Sequence, residues 1–290
     1  MWILLLIGAL LLLYIIWQAA ELRRFSVTEY EISSSMVKAP ITLAVLSDLH
    51  SFSYGPGNER LLSAVRSANP DLILMPGDMI VTARTNRYAV TESLMKELVP
   101  IAPVFASCGN HESRAMQDIP EFAGFLRTIE RIGVVLLDNA FSTEKVKGTA
   151  LRIYGLSIPL ENYKRGRLLP LPKGYLEEHL GPLPEEELSI LLAHDPAYAK
   201  DYFAYGPALT LSGHNHGGLV CLPDGRSVFS PRLSLFPEYG AGRFEEGKKT
   251  LIVSRGLGTH TYHVRIFNRA ELVVARLVPE TGKETTVEQM

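Results

Sequence analysis

The sequence predicts an α/β fold in four layers, α/β/β/α, preceded by one N-terminal transmembrane helix. Three observations carry that expectation. Residues 1–20 contain no charge and are dominated by Leu, Ile and Trp, whereas the 290-residue chain as a whole has an ordinary globular balance, 47% apolar and 21% charged. After them, short apolar runs alternate with amphipathic stretches, the pattern of a mostly parallel sheet with crossover helices. The polar residues suited to chemistry fall just beyond those runs, where ligands gather in such sheets.

The first segment has the length of a membrane anchor, because a bilayer core of about 30 Å needs about 20 apolar helical residues. Trp2 and Trp17 mark its ends, where amphipathic rings prefer the headgroup zone. A cleaved signal peptide fits less well: no Lys or Arg precedes the run, and Trp17-Gln18-Ala19-Ala20 is a poor small-residue cleavage site. Arg23 and Arg24 follow directly, so the positive-inside rule places the remaining chain on the cytoplasmic face of the cell membrane. Residues 21–39 read as a linker or edge strand, with Val27, Glu29 and Glu31 alternating against Thr28, Tyr30 and Ile32. All core strands are expected after Pro40, and the apolar run is expected to have no partner among them, so that a chain starting near Ser26 folds by itself.

Residues 40–278 form the expected catalytic domain. A β-prone run, 41–46, stops at Ser47-Asp48. Residues 58–68 read as a helix with Asn58 as N-cap and Leu61, Leu62 and Val65 on one face. A strand at 72–75 ends in Pro76-Gly77-Asp78, a helix follows at 88–98, and a strand at 104–106 ends in Gly109-Asn110-His111 before a helix at 119–131. In the second half, strands are expected at 151–156, at 188–193 ending in His194, and at 209–211 ending in Ser212-Gly213-His214, with a short helix opened by Asp195 and Pro196. Residues 219–220, 227–229, 251–253, 262–267 and 272–277 read as further strands of a second sheet, 157–184 as an excursion over the surface, and 279–290 as a polar tail.

Bulk properties narrow the function. A formal net charge of −2 leaves no basic footprint, so long nucleic acid is not an expected partner. The two cysteines, Cys108 and Cys221, make neither a disulfide framework nor a C-x-x-C thiolate site, and such usage leans towards a reducing compartment. What remains is a set of five motifs: Asp48-Leu49-His50, Gly77-Asp78, Gly109-Asn110-His111-Glu112, Ala193-His194 and Gly213-His214-Asn215-His216. Singly they are weak, since a glycine-aspartate pair is usually a plain turn and a lone histidine is usually structural. Jointly they offer hard oxygens and imidazoles, a donor set suited to Mn, Fe or Zn. A carboxylate such as Asp78 is the natural bridge between two cations about 3.5–4 Å apart, and paired metals clamp the attacking and leaving oxygens of a phosphoryl group. Asn110 offers a neutral amide oxygen, His111 is a candidate general acid, and Glu112 is placed to steady its ring.

The order D-x-H, G-D, G-N-H-[DE], H and G-H-x-H resembles the calcineurin-like metallophosphoesterase superfamily over about residues 40–278. Residues 212–218 and 254–259 are similar to its membrane-anchored YkuE-type branch. Glu112 stands where Asp is commoner and Asn215 where Thr is common, and neither departure removes a ligand. The resemblance implies a four-layer metallophosphoesterase sandwich with two divalent ions, Mn2+ first and Fe or Zn as alternatives. It implies one metal on Asp48, His50, Asp78 and His216, the other on Asp78, Asn110, His194 and His214, and His111 as catalytic residue. It further implies hydrolysis of a phosphomonoester, phosphodiester or pyrophosphate by a metal-bridging hydroxide. A tether favours a lipid-linked or membrane-proximal substrate, and Lys164, Arg165 and Arg167 beside Leu168, Leu169 and Leu171 suit an anionic bilayer surface. The alternative is a phosphodiesterase for soluble nucleotides or short nucleic acids. His179, His260 and His263 read as surface or structural residues.

Overall fold

The computed structural model describes residues 2–82, 88–164, 166–218, 220–230, 234–259 and 263–280. The expectations for Arg165, Leu219, Tyr262, His260 and residues 281–290 lie outside them. Helix α1 (Trp2–Glu21) is exposed along most of its length and buries only Gln18 and Glu21 in its last turn.

Two six-stranded sheets follow. The first runs in the order β1 (Phe25–Ser34), β12 (Ala270–Pro279), β2 (Ile41–Val45), β3 (Leu72–Pro76), β4 (Val104–Ser107) and β5 (Val134–Leu137). The second runs β10 (Gly242–Glu246), β11 (Lys249–Val253), β9 (Leu209–Ser212), β8 (Leu188–Ala193), β7 (Thr149–Leu156) and β6 (Ala140–Val146). From β2 to β5 every pairing is parallel, as it is from β7 through β8 and β9 to β11. β2, β3, β4, β8 and β9 are buried at every position, which explains why they read as continuous apolar runs without alternation.

The layers follow from which faces are apolar. Leu43, Val45, Leu74, Phe105, Leu151, Ile190 and Leu211 meet between the sheets. On the outer face of the first sheet lie α2 (Glu59–Ala68), α3 (Tyr88–Leu98), α4 (Asn110–Asp118) and α5 (Phe122–Arg131), which bury Leu61, Leu94, Ala115 and Phe125 against it. On the outer face of the second, α6 (Tyr175–Leu180) and α7 (Ala199–Tyr205) bury Leu176, Leu180 and Tyr202. This is the α/β/β/α arrangement.

Several details differ from the sequence reading. The run at 272–277 belongs to β12, which enters the first sheet between β1 and β2; an apolar strand fits a central position in either sheet, so its pattern does not say which. Residues 220 and 227–229 form only isolated bridges. The helix expected at 119–131 is α5, preceded by α4 starting at Asn110 itself. Asn58 does not cap α2 with its side chain, but accepts a 2.8 Å bond from the Tyr54 amide. β1 begins before Pro40 and pairs with β12 over ten rungs, so not all core strands follow that residue. The excursion at 157–184 is partly packed: Tyr163, Leu171 and Tyr175 join the outer core of the second sheet, while Lys164, Arg167 and Leu168 stay exposed.

Candidate metal centre

The five motifs converge at the carboxyl ends of the strands, on the seam between the sheets. Asp48 follows β2, Asp78 follows β3, Asn110 and His111 open α4 after β4, His194 follows β8, and His214 and His216 follow β9. The ladder continues beyond the strands. The Asp48 amide donates to Gly77 O and the His50 amide to Asp78 O, each at 3.1 Å. To make these turns, Asp48, His50, Asp78, His214 and His216 take left-handed backbone, with φ from 48° to 63°. Such geometry is uncommon for residues other than glycine and gathers at functional sites. Gly109 and Gly213 permit the closest approaches: a Cβ on Gly109 would meet the Asp78 carboxylate, and one on Gly213 the Asp48 carboxylate and Ser47 Oγ.

Asp78 Oδ1 accepts the His111 amide at 2.8 Å, and its Oδ2 lies 3.1 Å from His194 Nε2 and 4.0 Å from His50 Nε2. Asp48 Oδ1 accepts the His214 amide at 3.0 Å and lies 3.5 Å from His216 Nε2 and 3.8 Å from His194 Nε2. His50 Nε2 and His216 Nε2 are 2.9 Å apart. His194 Nδ1 donates to Pro76 O at 2.8 Å and His216 Nδ1 to Gly258 O at 3.2 Å, so each ring turns its Nε2 inwards. The potential ligand atoms form compact groups, Asp48 with His50 and His216, Asp78 with His194 and His214, and His50 with Asp78 and His111, each within 4.8 Å.

Does this cluster fit metal ions? The buried Asn110 Oδ1 has no hydrogen-bond partner among the described residues, a state that buried amide oxygens rarely tolerate without a cation or water. Two carboxylates, one amide oxygen and four imidazoles are donors for borderline divalent ions. The residues fit.

Electrostatics are divided. Burial raises the Asp78 carboxyl, but His194, His111 and His50 outweigh it and hold the group well below the usual carboxylate range. Burial wins at Asp48, whose pKa rises. Burial lowers His194, but Asp78 and Asp48 overcome it and carry its pKa to about 10. At His216, partly buried, desolvation and then the Arg265 cation lower the pKa to about 3.

His111 stands beside this cluster, its ring 4.9 Å from that of His50, and its pKa is lowered mainly by burial. The sequence reading gives Glu112 the task of steadying it. Instead Glu112 accepts the amides of Asp78, Ile80 and Gly109 at 2.9–3.1 Å, tying two loops together. Burial and then Asp78 raise its pKa to about 7. Thr82 holds the ring: its amide donates to His111 Nδ1 at 2.9 Å, and its hydroxyl donates to His111 O at 2.9 Å. No sequence signal marks Thr82. The sequence marks Asp195 only as a helix opener; its Oδ1 does accept the Ala197 amide, while its Oδ2 lies 3.9 Å from His214 Nε2. Tyr163, from the excursion, places its ring 5.3 Å from that of His214. His179 stays with α6, stacked on Tyr175, and His263 is exposed.

Residues 41–218 match the family described as calcineurin-like phosphoesterase. The chain belongs to that family. It is 26% identical to the phosphodiesterase YaeI of Escherichia coli over 248 residues, covering 83% of each chain. It is 27% identical to the metallophosphoesterase YkuE of Bacillus subtilis over 262 residues, covering 86% of this chain and 84% of that one. A transmembrane protein with metallophosphoesterase domain from Danio rerio is 26% identical over 247 residues, 80% of this chain and 52% of its own. This member of the YkuE-type branch is a metal-dependent phosphoric ester hydrolase. The family implies a dinuclear divalent centre, and the Asp and His groups above are its candidate ligands.

Proposed function

We propose that the chain is a membrane-anchored phosphoesterase acting on a lipid-linked or membrane-proximal phosphoester. One chain of contacts carries this reading. In the last turn of α1, Gln18 Nε2 donates to Arg265 O at 3.0 Å and Gln18 Oε1 accepts the Arg265 amide at 3.2 Å. The buried Arg265 guanidinium donates to Arg255 O, Gly256 O and Gly258 O, and Gly258 O in turn orients His216. The apolar helix is thus braced against the wall of the centre. The exposed Arg23 and Arg24 favour a cytoplasmic domain, and the Danio rerio relative's name supports a membrane setting.

On this reading residues 1–20 are the anchor, and 21–39 are a linker and edge strand whose β1 pairs into the catalytic domain at 40–278. Asp48, His50, Asp78 and His216 would hold one ion, and Asp78, Asn110, His194 and His214 the other. Two divalent ions, Mn2+ first and Fe or Zn as alternatives, supply Lewis-acid stabilisation of charge on the phosphoryl oxygens. His111, held at Nδ1 by Thr82, presents Nε2 to the leaving oxygen as the general acid. The name of the Escherichia coli relative supports a diester substrate.

The test compares the full chain with one beginning at Trp17, which keeps Gln18 and Glu21 and so preserves the bracing. The full chain should turn over a vesicle-borne phospholipid-like ester faster, and both should be alike on a soluble p-nitrophenyl ester. Equal rates on vesicles, with a marked preference for nucleotides, would return the soluble-substrate alternative.

A further inference from the structure

Outside α1 the described residues expose nine large apolar side chains, and the three most exposed, Phe267, Leu235 and Phe236 at 65%, 61% and 60%, lie with Phe229 on segments joined by backbone hydrogen bonds. That surface is a hydrogen-bonded tongue. The Cys221 amide donates to Ile266 O, the Val228 amide to Val220 O and the Phe236 amide to Val228 O, each at 2.9 Å. Three cross-strand steps of about 4.8 Å put Phe236 within roughly 15 Å of Ile266. Its root lies at the centre: Asn268 Nδ2 donates to His216 O at 2.7 Å and also to Gly218 O.

The same segment receives α1. Gln18 bonds the backbone of Arg265, and Glu21 takes a two-pronged ion pair from Arg269 at 2.7 and 2.9 Å, so Phe267 lies between the two docking points. Along the face of α1 that docks, exposure falls from Tyr14 at 40% to Gln18 at 5% and Glu21 at 8%, while Ala19 and Ala20 stay exposed. A helix that leaves lipid and meets protein within one turn fixes the level of the bilayer interface there, at the depth tryptophan prefers. The loop bonded to that turn lies at the same level. Phe236 and Phe267 also hold left-handed backbone, φ 46° and 48°, an outlier geometry for bulky residues, and neither ring gains burial in return.

We infer that the tongue carrying Phe229, Leu235, Phe236 and Phe267 is a second membrane contact, seated in the headgroup–acyl boundary, so that the metal centre opens at the level of lipid phosphates. The occupant is a bilayer surface because the segment bearing Phe267 is bonded on both sides to the last turn of α1. This rests on reading α1 as an anchor, and the experiment separates the two.

Trp2 and Trp17 are the chain's two tryptophans. With both replaced by Phe in the full chain, single variants Phe236→Trp, Phe267→Trp and Phe141→Trp would be placed in vesicles containing brominated phosphatidylcholine. Phe141 is 48% exposed on β6, outside the tongue. Emission at 236 and 267 should shift to the blue and lose intensity to bromines about 5–10 Å below the headgroups, while that at 141 should not change. A protein retaining Trp17 alone reports the anchor. Quenching at 17 with solvent-like emission at 236 and 267 overturns the tongue and leaves the anchor standing. No quenching at 17 overturns both, and quenching at 141 shows general adsorption and also overturns it. A second readout is the pair Phe236→Ser and Phe267→Ser: turnover of the vesicle-borne ester should fall several-fold with the soluble rate unchanged, and equal effects on both substrates would count against the contact.

Discussion

The two sheets contribute to the centre in different ways. The first supplies Asp48, His50, Asp78 and Asn110 from loops bound to one another: Asp48 and His50 bond the Gly77-Asp78 turn, and Glu112 clamps Asp78 and Gly109. The second supplies only imidazoles, and these are fixed mostly from across the seam. His194 is oriented by Pro76 O at the end of β3, and the His214 amide rests on Asp48. The first sheet therefore builds a hydrogen-bonded frame that carries both carboxylates, and the second closes it with donors that depend on the frame. A defect in a carboxylate should propagate to both sheets, whereas a defect in one imidazole should stay local.

Asp78→Asn tests the frame most severely. Its carboxylate touches His194 and accepts the His111 amide, so the variant should lose both ions and fall to background hydrolysis, with elemental analysis of the purified protein as the check. Retention of two ions per chain would break the asymmetry between the sheets.

His111→Ala should spare the frame. Metal content should be unchanged while turnover drops by roughly 10²–10⁴-fold, the scale for losing a general acid or base. The loss should shrink for esters with good leaving groups, which need little protonation, and an equal loss for good and poor leaving groups would remove the acid role.

The smallest effect concerns pH, and it separates two of the three histidines that face inwards from the second sheet. His194 has its pKa raised to about 10, so it is protonated at neutral pH and its contribution to folding is fully present below about pH 6.5 and is lost as pH rises through about 10. An ion must displace that proton, so affinity at the position His194 serves should rise about tenfold per pH unit between pH 7 and 9. His216, lowered to about 3, has no proton to give up, and the position it serves should show the shallower slope. Calorimetric metal titrations at pH 7, 8 and 9 measure both, and identical slopes would erase the distinction.

Much of this was legible in the sequence because the centre is built at strand ends. Asp48, Asp78, Asn110, His194 and His214 each follow a run that is apolar because both faces of the strand are buried, so motif and element announce each other. Thr82 was not legible, since it acts through its own amide and a turn that brings it beside His111. Nor was the partnership of α1 with the domain: Gln18 and Glu21 look like the polar edge of an anchor, and Arg265 and Arg269 lie far along the chain. The placement of β12 escaped for a related reason, because burial on both faces marks a central strand without naming its neighbours.

That placement has a consequence in time. β12 is inserted between β1 and β2, and Ser26 bonds Ala270, a residue 244 positions later. At about 5–20 residues per second, β1 waits roughly 12–50 s after synthesis for its neighbour in the sheet. During that interval β2 also presents an unpaired apolar edge, the kind of template that recruits other chains. The first sheet is therefore closed last, when nearly the whole chain has emerged, and the nascent protein spends most of its synthesis with its amino-terminal strand open.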